Sequence, residues 1–81
     1  MELRVGQVTH YFSKIQVAVL ELSETLEVGD TIHFHGHTTD FSQEVGSMQL
    51  DHKPVESAGK GQEIAIKVTA KVRVGDEVFK A

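Results

Sequence analysis

Residues 28–48 read VGDTIHFHGHTTDFSQEVGSM, and the fold is decided here. Gly29 can take a positive φ at no steric cost and Asp30 can bond the backbone two residues away, so Val28-Gly29-Asp30 is a turn with a mechanism. The following strand, Thr31 to His35, puts Ile32 and Phe34 on one face and Thr31, His33 and His35 on the other. Gly36-His37-Thr38-Thr39 forms a loop. From Asp40 a second strand alternates Phe41, Gln43, Val45 and Ser47 with Ser42, Glu44, Gly46 and Met48. Val45 and Met48 then fall on opposite faces unless the strand slips by one residue, and Gly46 is the expected site of that bulge.

Outward from this stretch the same grammar continues. Val72-Arg73-Val74-Gly75-Asp76 repeats the apolar-x-Val-Gly-Asp pattern of Leu26 to Asp30, so two equivalent turns feed two strands, the second at Glu77 to Lys80. Residues 3–12 (LRVGQVTHYF) form a first strand in which Phe12 is in phase with Val8 and is expected in the core, while Tyr11 is expected outside. Ser13-Lys14 breaks it before a partner strand from Ile15, whose apolar run Val17 to Leu20 predicts cover on both faces. Pro54 belongs to an edge strand or a loop. Ala58-Gly59-Lys60-Gly61 is a glycine-rich turn, and Ile64, Ile66 and Val68 of the next strand point into the core. Six or seven short strands without a helical period predict an all-β barrel.

Composition bounds the function. Eighty-one residues enclose one core, read as a single domain over residues 1–81. The absence of cysteine excludes disulfides and thiolate metal sites. With no long apolar run and no signal-like start, the expectation is a soluble cytoplasmic protein. The net charge of −4 argues against strong general attraction to phosphate. Lys60, Lys67, Lys71 and Arg73 nevertheless stand against Glu63 alone, a local +3 that leaves −7 for the remainder. A basic face is one reading of that segment, and a solvated edge that discourages aggregation is the other.

Two constellations could carry chemistry. His33 and His35 lie on one strand face with Cα atoms ~6–7 Å apart, a spacing at which two imidazoles can converge on a metal. His37 could be a third ligand and Asp40 is within reach if the loop curls back; a plain exposed face and adventitious metal are the competing readings. Tyr11 and Lys14 could join Lys60, Lys67, Lys71 and Arg73 in an RNA-contacting surface of aromatic and basic groups. There is no nucleophile-elbow pattern or paired-acid signature, so the chain is expected to be non-catalytic and to need no cofactor.

Val5-Gly6-Gln7-Val8, Leu26-x-Val-Gly-Asp30, Val45-x-x-Met48, Ala58-x-x-Gly61 before Ile64-x-Ile66, and Val74-Gly75-Asp76-x-Val78 resemble, in order and spacing, the second domain of translational GTPases such as elongation factor Tu. Asp40-Phe41-Ser42-Gln43 with Val45 and Met48 is also similar to the carboxy-terminal barrel of collagenase-type peptidases, the closer match locally. The resemblance implies a small closed Greek-key barrel, here stand-alone. It lacks a phosphate-binding G-x-x-x-x-G-K-[ST] loop, which excludes GTP hydrolysis. Ser47, where tRNA-binding members carry an acidic residue, and His10-Tyr11-Phe12-Ser13-Lys14 in the first hairpin depart from the aminoacyl-end pocket. The leading expectation is an RNA- or ribonucleoprotein-associated binding module. The alternative is a protein-docking accessory to a separately encoded catalytic partner such as a collagenase-type peptidase, and a lesser one is metal binding through His33, His35 and His37.

Overall fold

A computed structural model describes residues 2–81, and its strands are joined by one turn used three times. Glu27–Asp30, Gly59–Gln62 and Arg73–Asp76 each place a glycine third, with φ of 97°, 85° and 95°, as a type II turn requires. In each, the fourth residue's N–H donates to the first carbonyl at 3.1 Å. The first residue's N–H in turn donates to a side-chain oxygen of the fourth, Asp30, Gln62 or Asp76, at 2.8–2.9 Å. The central glycine N–H donates at 2.8 Å to Val45, Leu22 or Val8, whose own N–H returns a bond to the fourth residue's carbonyl. Each turn therefore clamps one buried apolar residue. The repeated Val-Gly-Asp revealed two of these clamps; the third is capped by Gln62.

Ten strands result: β1 (Leu3–Phe12), β2 (Val17–Leu22), β3 (Leu26–Glu27), β4 (Thr31–His35), β5 (Asp40–Glu44), β6 (Met48–Leu50), β7 (Lys53–Val55), β8 (Ser57–Ala58), β9 (Glu63–Lys67) and β10 (Glu77–Lys80). Eight make one antiparallel sheet in the order β5-β4-β10-β1-β2-β9-β6-β7, and β3 pairs with β8 as a separate ribbon. Along that order β5 and β6 are six steps apart, about 29 Å if the sheet were flat. Only Val45, Gly46 and Ser47 connect them, and four Cα steps reach at most roughly 14 Å. The sheet must roll until its ends approach. At the seam the Gln43 amide donates to the Lys67 carbonyl and accepts from the Thr69 N–H, both at 2.9 Å. A side-chain amide stands there where a strand pair would close the ring.

The closed Greek-key barrel of six or seven strands is thus corrected to a rolled, open eight-stranded sheet with a two-stranded ribbon. The reason is local. The main chain leaves its ladder after Glu44 and re-enters at Met48, so β5 gains no strand partner on its outer edge. The break also resolves the phase conflict between Val45 and Met48, which are both buried. Pro54 lies on β7 at the sheet's end, where a missing N–H costs no ladder bond.

Inside the roll one core gathers Val5, Leu20, Ile32, Phe34, Ile64 and Val78, among others, and Phe41 stacks on Phe34 with centroids 5.0 Å apart. Ile64, Ile66 and Val68 point inward as expected. Two bulges bend β1 across this core: its register slips between Arg4 and Gly6 against β10, and between Val8 and His10 against β2. No helix among the described residues is long and apolar enough to cross a membrane.

Gly6 lies where β1 crosses β2 so closely that a Cβ would collide with the Glu21 carbonyl, whereas a Cβ on Gly46 would meet open space. Gly6→Ala is expected to destabilise the fold by about 1–3 kcal/mol, and Gly46→Ala to be neutral or stabilising within about 1 kcal/mol. Urea unfolding of the two variants checks both signs.

Candidate functional site: a groove on the outer face of the sheet

The second bulge in β1 creates the site. Val8 pairs with Leu20 but His10 pairs with Val19, so Thr9 is the extra residue and the alternation reverses beyond it. Phe12, expected in the core, is 51% exposed, and Tyr11, expected outside, packs against the core. The two-sided cover predicted for Val17 to Leu20 is likewise corrected. Ala18 and Leu20 are buried while Val17 and Val19 are half-buried on the outer face. Ile15 belongs to the hairpin turn and is 60% exposed.

Register lines up the outer side chains. His10, Val19, Ala65, Gln49 and Pro54 face one another across five strands, and Phe12, Val17 and Lys67 form the next row. Ala65, small between Val19 and Gln49, forms the floor of a groove of about 340 Å³ walled by Phe12, Ile15 and His52. A more polar hollow continues from it past Asp51 and Glu63. Ser47 and Lys67 border the other side.

The β6–β7 turn holds Asp51 and His52 beside this groove with φ of 54° and 64°, the left-handed pair of a two-residue hairpin in which Asn-Gly is preferred. Opposite it, Glu63 on β9 faces Glu21 on β2 directly, and its carboxylate accepts the Thr9 hydroxyl at 3.1 Å. Like charges in register destabilise a sheet. Among the described residues none of Glu21, Glu63 and Asp51 forms an ion pair.

The histidine strand has a different construction. His33 Nε2 lies 2.5 Å from Asp40 Oδ1 and Nδ1 lies 3.3 Å from Glu2 Oε2. Two acceptors can be satisfied together only by an imidazolium, which donates from both nitrogens. The hydrogen bond to Asp40 raises the His33 pKa above its ordinary value, helped by Glu2 and opposed by partial burial. Asp40 does curl back, as an acceptor for His33. His35 meets His33 edge to face at 6.1 Å and His37 sits in the exposed loop. Among the described residues no group of three or more His, Cys, Asp or Glu is arranged to hold a metal ion.

The candidate RNA-contacting residues fall on several elements, with Lys67 at the end of β9 that lies beside the β1–β2 turn. Lys60 and Lys67 lie beyond and at opposite ends of β9. Arg73 opens the clamp turn against Val8, Lys71 lies in the loop before it, and Lys14 is in the β1–β2 turn. Sequence reading overlooked the groove residues Val19, Gln49, Asp51, His52 and Ala65. Its one signal was the surplus of apolar residues from Val17 to Leu20.

No family model matches the chain. It is 42% identical over 79 residues to an uncharacterised protease of Methanocaldococcus jannaschii, covering 96% of this chain and 19% of that protein. It is 38% identical over 81 residues to a collagenase of Porphyromonas gingivalis, covering 98% of this chain and 20% of the collagenase. The chain therefore spans about a fifth of the length of the curated relatives it matches. The C-terminal domain of a candidate U32 peptidase of Geobacillus thermoleovorans superposes with a TM-score of 0.91 at 18% identity, over 96% of this chain and 91% of that one. Its selenomethionine variant gives 0.89 at the same identity, over 94% and 96%. These findings correct the translation-factor and RNA-binding reading: the homologues are segments of proteins named protease or collagenase. Of the two resemblances read from the sequence, the collagenase-type one is supported.

A raised native pKa at His33 contributes stability that is complete below the unfolded value of about 6.5 and is lost as pH rises through the native value. The melting temperature of the native chain relative to His33→Gln is accordingly expected to be highest in mild acid and to converge above neutrality; a constant difference from about pH 5 to about pH 9 would contradict it. Replacing Asp51-His52 with Asn-Gly should stabilise the hairpin by about 1 kcal/mol, measured as a shift in the urea midpoint.

Proposed function

We propose that this chain is a non-catalytic accessory module that docks on the catalytic part of a collagenase-type peptidase supplied by a separate chain. The observation that carries this reading is identity of 38–42% over nearly all of the chain to segments making up about a fifth of proteins named protease or collagenase. Four fifths of such a relative lies outside the matched segment, room enough for the peptidase chemistry to reside there. What the chain itself offers is surface: a groove on the outer face of the sheet lined mainly by apolar side chains, which an extended protein segment can fill. The acidic residues beside the groove fit a protein partner better than a phosphate backbone.

Affinity capture with the tagged chain from nuclease-treated native extract tests this. The expected result is a stoichiometric partner whose eluate hydrolyses gelatin, while the chain alone does not. Gelatin hydrolysis by the purified chain alone, or capture that nuclease abolishes, would overturn the proposal.

A further inference from the structure

The outer groove has a definite chemistry, and resting on the accessory-module reading we infer its occupant: an extended segment of the catalytic partner that carries a bulky apolar side chain and, two positions along, a lysine or arginine. Shape selects the apolar side chain. Phe12 and Ile15, 51% and 60% exposed, stand on one hairpin beside the half-buried Val17 and Val19. Between them Ala65 leaves a notch one methyl deep, because its cross-strand neighbours Val19 and Gln49 are both larger. A leucine-sized side chain entering the notch would cover these surfaces together and gain what each loses by facing water.

Charge selects the basic one. Glu21 and Glu63 are in register on the same outer face as Ala65, and Asp51 lines the polar hollow together with Glu63. With no internal cation bound to any of the three among the described residues, repulsion between them is relieved by a cation brought from outside. Glu63 precedes Ala65 by two residues on the same strand face, so the two subsites are ~6–7 Å apart. That is the spacing of alternate side chains in an extended peptide, which is why the basic residue is placed two positions from the anchor. Lys67, two residues beyond Ala65 on the other side, gives the groove opposite charges at its two ends. An incoming strand is thereby oriented with its basic residue toward Glu63.

The probe is the end-capped pentapeptide Gly-Leu-Gly-Arg-Gly, titrated into the isotope-labelled full chain and followed by amide chemical shifts, beside two controls in which Leu becomes Ser or Arg becomes Glu. Saturable shifts are expected at Val19, Gln49 and Ala65, with each control weaker by about tenfold or more. Phe12→Ser and Ala65→Arg should abolish them while the rest of the spectrum stays dispersed. Glu63→Lys should transfer preference to the glutamate peptide. Shifts that are absent from the groove, or equal for all three peptides, overturn the inference even if a gelatin-hydrolysing partner is captured, since docking would then use another surface. Selective groove binding without any captured peptidase would instead overturn the accessory reading on which the choice of occupant rests.

Discussion

Val45, Gly46 and Ser47 carry the chain from one end of an eight-strand ladder to within one strand of the other, and that short crossing is the constraint on which the architecture depends. A link of this length cannot span a flat sheet, so the ladder has to roll around its own side chains. The three clamp turns hold the roll at separate points. One grips Val45 itself, at the start of the crossing, and the others grip Leu22 and Val8 on the central strands. Where β5 meets the end of β9, Gln43 supplies donor and acceptor from a side chain. The seam is therefore bridged without extending either strand, which leaves β7 with its proline as one edge.

Rolling alone would give a sheet with an apolar inside and a polar outside. The bulge at Thr9 breaks that rule by turning Phe12 outward and Tyr11 inward. A large aromatic ring on the surface, beside Val17, Val19 and Ile15, is unfavourable in isolation and acquires a rationale when another surface covers it. The left-handed residues Asp51 and His52 border the same groove. The bulge and the hairpin turn thus shape one and the same groove.

On the histidine strand one of the three candidate imidazoles is engaged in hydrogen bonds of its own. His33 is held between Asp40 and Glu2, so both of its nitrogens are committed to carboxylates. The basic residues counted together along residues 60–73 are separated by the length of β9 and by the loop after it. A rolled sheet of this kind serves unrelated proteins, and the reading of function rests on the relatives and the groove rather than on the fold.

The sequence by itself determined the all-β character, most of the longer strands, the inward residues Ile32, Phe34, Ile64, Ile66, Val68 and Val78, the two Val-Gly-Asp turns and the exclusion of Pro54 from a central strand. Each follows from alternation, from glycine's freedom at positive φ or from proline's missing donor, all of which act over a few neighbouring residues. Tertiary structure decided the open seam, the inward turn of Tyr11 and outward turn of Phe12, the third clamp at Gln62 and the meeting of Ala65 with Val19 and Gln49. These depend on register between strands far apart in the chain, and a single bulge residue reverses every side chain beyond it. Alternation counts positions along one strand; the groove exists because of which strands lie beside each other.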